Sequence, residues 1–84
     1  MIQKIDSPVS VKLVFDSIQK KVFPEEIFWN KRFYPIVKFG LHHTFKEGKV
    51  LYHVFSVSSK TLFFKLVLNT ETLHWRLEQI ADGY

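Results

Sequence analysis

The chain has 84 residues, of which 46% are hydrophobic and 17% aromatic, and this composition excludes intrinsic disorder and predicts a single small domain over residues 1–84. Its net charge of +4 favours polyanions as partners, although charge does not determine the fold. Cysteine is absent, which excludes disulfides, thiolate metal sites and a cysteine nucleophile.

The N-terminal segment lacks the apolar run of a signal peptide, and no stretch reaches the roughly 20 apolar residues of a membrane-spanning helix. We therefore expect a cytoplasmic protein without a membrane segment. Apolar and polar residues then alternate through VSVKLVF, residues 9–15, which predicts a half-buried strand. Pro8 precedes it at an edge position. Residues 16–26 are predicted to form a connection, because Pro24 and the short length argue against a helix.

The segments EIFW and RFYPIVKFGLHHTF are predicted to be two strands around a tight turn at Asn30 and Lys31. Asn tolerates a positive φ and Lys does so poorly, so Gly is expected at residue 31 and a looser turn stays open. Pro35 predicts an edge or a bulge, since it has no N–H for a ladder. Gly40 predicts a second bend in the long strand.

Three further strands are predicted from KVLYHVFSV, TLFFKLVLN and TLHWRLEQIA. The spacing of about ten residues is typical of an antiparallel meander. An open meander would leave one face and two edges bare. We therefore predict an all-β fold in which five or six antiparallel strands bend and close into an SH3-like or similar small barrel.

The last two hairpins decide which side chains share a face. A loop at residues 70–71 pairs Lys65 with Arg76, and like charges opposite one another are a local conflict that sometimes marks function. For the hairpin between 50–57 and 61–69 two registers stay open. A three-residue loop at 58–60, which we prefer, places His53 on the outer face, and a two-residue loop moves it into the core.

These registers predict a basic and aromatic binding surface. Small barrels bind single-stranded nucleic acid by stacking bases on exposed aromatics beside a basic groove. The residues predicted to form the surface are Trp29, Arg32, His53, Phe63, Lys65 and Arg76. We expect a non-catalytic module that binds single-stranded or duplex nucleic acid, and the alternative is a protein partner or a homodimer through Phe55 and Phe63.

Two further alternatives apply to parts of this surface. Lysines on strand exteriors also guard sheets against edge aggregation. The Trp29–Arg32 pair can be a packed hairpin whose guanidinium covers the indole, since aromatics in small domains are mostly core.

Enzymatic chemistry has little support in the sequence. Glu25 and Glu26 are neighbours and do not converge across a cleft. His42 and His43 point to opposite faces of a strand, so they cannot chelate one ion together. No spacing typical of metal ligands or phosphate loops occurs, and we predict no catalytic residue, metal or cofactor. Whether His42, His43, His53 or His74 ever bind a metal stays open.

The segment WNKRFYPIV, residues 29–37, resembles a group of small uncharacterised bacterial β-domain proteins. Those proteins carry a strand–turn–strand of the form W-x-G-R-x-Y-x-V, followed by a meander that ends in an aromatic strand like LHWRLEQI. The resemblance covers residues 24–82, and the residues that match in type are Trp29, Arg32, Tyr34 and the aliphatic at Ile36 or Val37. Lys31 stands where the group has Gly. The group has no assigned activity, but some members look as if they are encoded beside translesion DNA-polymerase genes, which implies DNA-linked work.

Overall fold

The computed structural model describes residues 2–82, which form two antiparallel β-sheets. The five-stranded sheet has the order β1-β8-β7-β6-β5 and the three-stranded sheet the order β2-β3-β4. The strands are β1 (Ile2–Pro8), β2 (Ser10–Asp16), β3 (Lys21–Trp29), β4 (Arg32–Pro35), β5 (Lys38–Glu47), β6 (Val50–Ser59), β7 (Leu62–Asn69) and β8 (Trp75–Asp82). The all-β prediction is confirmed. The strands number eight rather than five or six, because the polar edge strand β1 escaped prediction and the long strand from residue 32 is divided.

Two stretches of chain pass from one sheet to the other. Only Val9 separates β1 from β2, and its N–H donates to the Trp75 carbonyl of β8 at 3.4 Å. Between β4 and β5, the Ile36 N–H donates to a β3 carbonyl at 2.9 Å, and the Val37 N–H donates to the Ser58 carbonyl of β6 at 2.9 Å. The two sheets are therefore tied at two corners where the chain bends.

The core lies between the two sheets. In the three-stranded sheet, Ile27 and Pro24 are fully buried, and Ile27 packs in one cluster with the inner face of the five-stranded sheet. None of the core residues is more than 5% exposed, and those of the larger sheet are Phe55, Val57, Phe64, Leu66 and Leu77. Full burial of such a side chain stabilises the fold by about 1.5–3 kcal/mol. This core fixes the small sheet over one part of the larger one.

The β3–β4 hairpin has the tight turn predicted for it. Trp29 pairs with Arg32, and the two residues between them, Asn30 and Lys31, have φ values of 54° and 64°. Lys31 thus occupies a left-handed position that glycine adopts without steric cost. The looser turn, which stayed open from the sequence, is wrong.

The β6–β7 hairpin corrects the preferred register. Ser59 pairs with Leu62, so Lys60 and Thr61 form the turn, in place of the predicted loop at 58–60. Ser58 and Ser59 are buried and extended, the strand ends at Ser59, and the turn residue Lys60 has a φ of 48°. As a result His53 shares the inner face with Phe55, and its placement on the outer face is wrong.

The β7–β8 connection is longer than predicted. The Asn69 side-chain oxygen accepts hydrogen bonds from the backbone N–H groups of residues 71 and 72 at 2.9 and 3.2 Å, and the connecting loop spans residues 70–74. A register shift follows between Lys65 and Leu66. Lys65 therefore pairs with Gln79, and Arg76 pairs with Val67. The predicted Lys65–Arg76 pair is wrong.

Candidate binding cleft

The six residues predicted to bind a partner lie in three places. Phe63, Lys65 and Arg76 lie on the outer face of the five-stranded sheet, away from the core. His53 lies on its inner face, and the Trp29–Arg32 pair belongs to the three-stranded sheet. The structure therefore does not bring these six side chains together.

The two predicted cations of the outer face are each paired with an acid. Lys65 Nζ lies 2.9 Å from Glu78 Oε1. Arg76 Nε donates to Asp6 Oδ1 at 2.8 Å, and its Nη2 donates to the Asp6 carbonyl oxygen at 2.6 Å. Phe63 remains 46% exposed on the same face. The charges of Lys65 and Arg76, from which phosphate binding was predicted, are therefore balanced by their partners, whereas Lys4 and Lys38 on this face take part in none of the ion pairs of residues 2–82.

The Trp29–Arg32 hairpin is divided between core and solvent. Trp29 is half-buried and packs against the core, whereas Arg32 is exposed. On the other side Phe28 and Phe33 pack at a centroid distance of 4.6 Å and stay 40% and 65% exposed. The placement of Trp29 agrees with a packed hairpin rather than a separate recognition surface.

A cleft lies between the two sheets, where the end of the β2–β3 hairpin faces the inner side of β5, β6 and β7. Its volume is about 970 Å³, at the upper end of the roughly 300–1,000 Å³ that small-molecule sites occupy. Its lining combines five rings with two cations, namely Phe23, Phe39, Phe55, His42, His53, Lys20 and Lys21. We call it the inter-sheet cleft.

One wall of the inter-sheet cleft is a stack of rings. Phe55 and His42 are parallel within 1° at a centroid distance of 4.4 Å, and His42 and His53 follow at 5.0 Å. The stack is continuous with the core, because Phe55 also contacts Trp75 at 5.6 Å. Flat, aligned rings at the edge of a core are suited to stack against a planar ligand.

The two histidines of this wall form a hydrogen bond. His42 Nε2 and His53 Nδ1 lie 2.8 Å apart. His42 is exposed as a residue, but one face of its ring is covered by Phe55, and this partial desolvation lowers the pKa of His42, while the neighbouring His53 and His43 lower it further. The His42 ring is therefore neutral at neutral pH, and the cleft gains positive charge as the pH falls.

Two lysines stand at the mouth of the cleft. Both are exposed, Lys20 at the end of the β2–β3 turn and Lys21 at the start of β3, and in this turn Asp16 Oδ1 accepts the N–H groups of Ile18 at 2.9 Å and Gln19 at 3.3 Å. Three ion pairs occur within residues 2–82, and neither lysine takes part in them. Because Asp16 also lines the cleft and is the cross-strand partner of Lys21, the mouth carries two cations against one carboxylate next to aromatic walls.

The described residues hold no cluster of metal ligands. Over residues 2–82, no three side chains of the His, Asp and Glu types are placed to hold one metal ion. Ser58 and Ser59 are buried in β6, at 7% and 5% exposure. The same part of the chain has no helix of the length and apolarity that crossing a bilayer requires.

Most residues of the inter-sheet cleft were missed by sequence reasoning, and His53 is the exception. Residues 16–26 were predicted as a connection, although Lys21–Trp29 form β3 and carry Lys21 and Phe23 into the cleft wall. A signal was present in FDSIQKKVF, where apolar residues flank a polar segment that begins with Asp, the residue type that caps such turns. The meeting of this turn with His42 and His53 depends on packing and left no pattern in the sequence.

No protein-family model, curated protein or solved structure matches this chain.

Proposed function

We propose that the protein is a non-catalytic binding module that holds single-stranded nucleic acid in the inter-sheet cleft. The observation that carries this proposal is the stack of Phe55, His42 and His53 next to the free cations Lys20 and Lys21. Proteins that bind single strands combine such aromatic platforms with a positively charged path for the phosphates, and each stacked base contributes about 1–3 kcal/mol.

The charge of the whole chain supports the same ligand. The chain has twelve Lys and Arg residues and eight Asp and Glu residues, and the ion pairs within residues 2–82 include three of those cations. The remaining positive charge attracts polyanions and speeds their association at low salt. The DNA-linked work implied by the resemblance at residues 29–37 points in the same direction.

The fold is compatible with this proposal as a small barrel. We propose that β1 and β2 act as one bent strand, and β4 and β5 as another, so that six chain segments form a circuit around the core. The hydrogen bonds of Val9, Ile36 and Val37 at the two corners support this SH3-like arrangement. A strand that bends through a corner and serves two sheets is a common device of small orthogonal barrels.

The proposal is tested by fluorescence anisotropy with labelled single-stranded and duplex oligonucleotides. Affinity for the single strand is expected to fall as salt rises from about 50 to about 200 mM, with a log–log slope of about −0.7 for each phosphate contact. Replacing both cleft lysines (K20Q/K21Q) should reduce this slope by about 1.4, since two contacts are lost.

A matched control removes two charges from the outer face. The variant K65Q/R76Q carries the same charge loss, but its cations are already paired with Glu78 and Asp6. It is expected to bind the oligonucleotide as the unmodified chain does. Absence of binding at low salt, or an equal loss of slope in the two variants, would contradict the proposed site.

A second candidate function is binding of a protein through the edge of β5. All ten residues of this strand are exposed, it ends the five-stranded sheet, and Phe39 and Leu41 are 49% and 74% exposed. An unpaired edge of this length can accept a strand from another chain. Sedimentation of the chain at increasing concentration tests self-association, and a dimer that L41K abolishes would favour this candidate over nucleic acid.

A further inference from the structure

Two imidazole nitrogens face each other inside the inter-sheet cleft. His42 Nε2 lies 2.8 Å from His53 Nδ1. When both rings are neutral, one nitrogen donates its N–H to the other, and neither is free for a ligand. When both rings are protonated, each facing nitrogen carries an N–H, and two donors at this distance repel unless an acceptor enters between them.

We propose that His42 and His53 form an oxyanion site that takes up protons as a phosphate group enters the cleft, with both facing N–H groups then donated to phosphate oxygens. The proposal rests on the proposed function, because nucleic acid supplies phosphodiester groups to the cleft. It adds that protonation of this pair, and not only the lysine charges, determines how tightly the anion is held. Charge-assisted hydrogen bonds of this kind are about twice as strong as neutral ones.

The charged side chains around the pair carry more positive than negative charge, which favours an anion. The charged or titratable groups around it are Asp16, Lys20 and Lys21 from the β2–β3 hairpin, and His43 from β5. The facing parts of β6 and β7 contribute uncharged side chains. Because the Asp16 carboxylate already accepts two backbone N–H groups in its own turn, the two lysines outweigh it at the mouth of the cleft.

The lowered pKa of His42 in the empty cleft agrees with this proposal. Burial lowers the pKa of His42, as do the adjacent His53 and His43, so the ring gives up its proton readily in the empty cleft. An anion beside the ring acts in the opposite direction, since it favours the charged imidazolium. By linkage, the affinity for the anion rises as the pH falls, by up to about tenfold per pH unit for each proton taken up.

The experiment compares three forms of the full chain, the unmodified protein, H42Q/H53Q and H43Q. The first probe is a labelled oligothymidylate, and the second is sulfate, and both keep a constant charge between about pH 8 and about pH 5.5, the range in which histidine titrates. Anisotropy gives the oligonucleotide affinity at each pH. NMR of the imidazole rings gives the histidine pKa values with and without sulfate.

The unmodified protein is expected to bind both probes more tightly as the pH falls, approaching tenfold per pH unit, and sulfate is expected to raise the pKa of His42. H42Q/H53Q should keep a weaker affinity that does not change with pH, because the lysines do not titrate in this range. H43Q removes a histidine from the opposite face of the same strand, and because His43 is the smallest of the three causes that lower the pKa of His42, this variant should retain most of the pH dependence.

The outcomes separate the two proposals. Oligonucleotide binding with no pH dependence would overturn the oxyanion pair and leave the proposed function standing. The same conclusion would follow if H42Q/H53Q showed the same pH dependence as the unmodified protein. A sulfate-induced rise of the pKa of His42 without any oligonucleotide binding would support the oxyanion site, make a free anion its ligand, and overturn the nucleic-acid function. If H42Q/H53Q does not fold, the NMR titration of the unmodified protein decides alone.

Discussion

Lys31 adopts a strained backbone conformation in the β3–β4 turn. Its φ of 64° is left-handed, which costs a non-glycine residue about 1–2 kcal/mol. We predict that K31G raises the free energy of unfolding by about 0.5–1 kcal/mol, after the larger entropy loss of glycine on folding is subtracted. Urea denaturation measures the gain, and K46G, in the extended strand β5, should lose stability instead. A loss in K31G would show that the side chain of Lys31 makes a contact that outweighs the strain.

A second prediction at the scale of a residue concerns His42. Its pKa is lowered in the folded chain by burial and by two neighbouring histidines, so the unfolded chain binds the proton more tightly. Stability is therefore complete above the unfolded pKa of about 6.5 and falls as the pH drops below it. We expect H42Q to lose less stability than the unmodified protein between about pH 7 and about pH 5.5, and urea midpoints across this range measure it. H43Q is the control, and an identical pH dependence in H42Q and the unmodified protein would contradict the prediction.

At the scale of the element, hairpins were predictable where the turn residue itself carries the signal. Asn30 marked the β3–β4 turn correctly, because asparagine adopts a positive φ readily. Ser58 and Ser59 suggested a loop by their polarity, yet both are buried in β6. Asn69 ends β7 as predicted, but its side chain also accepts hydrogen bonds from two residues of the loop that follows, and the sequence did not predict these bonds. Side-chain hydrogen bonds of this kind change the loop length and therefore the register of the hairpin. The alternation of apolar residues does not predict them.

The role of Asn69 leads to a prediction for the β7–β8 hairpin. Its Oδ1 accepts two backbone N–H groups, and each such bond contributes about 0.5–1.5 kcal/mol net. N69A is expected to lower the free energy of unfolding by about 1–2 kcal/mol, and N69D, which keeps the acceptor oxygen, should lose much less. Thermal or urea denaturation measures both variants. Equal losses in N69A and N69D would show that the acceptor oxygen does not hold the loop.

At the scale of the whole molecule, the fold class followed from the period-2 pattern, but the site did not. Alternation in the segments of β2, β6 and β7 identified strands, since one face of each must be buried. The bends at Val9 and at residues 36–37 each follow a proline, Pro8 and Pro35, but a proline alone does not predict that the chain crosses to the other sheet there, because the crossing arises from fitting two sheets around one core. The inter-sheet cleft lies where the β2–β3 hairpin overhangs the larger sheet, and its position follows from those bends.

The same geometry predicts that the two sheets unfold as one unit. Ile27 is the small sheet's member of the buried core, and Trp29 and Trp75 lie in different sheets, in β3 and β8. In the W75F variant the remaining Trp29 reports on the small sheet by fluorescence, and in the W29F variant the remaining Trp75 reports on the large sheet. Circular dichroism follows all strands. In each variant the fluorescence and dichroism transitions should coincide, as two-state unfolding requires. I27A should shift both signals together, by about 2–5 kcal/mol, because the cavity it leaves lies between the sheets. An early fluorescence transition in W75F alone would mean that the small sheet detaches first, and that the corner hydrogen bonds do not couple the cleft walls.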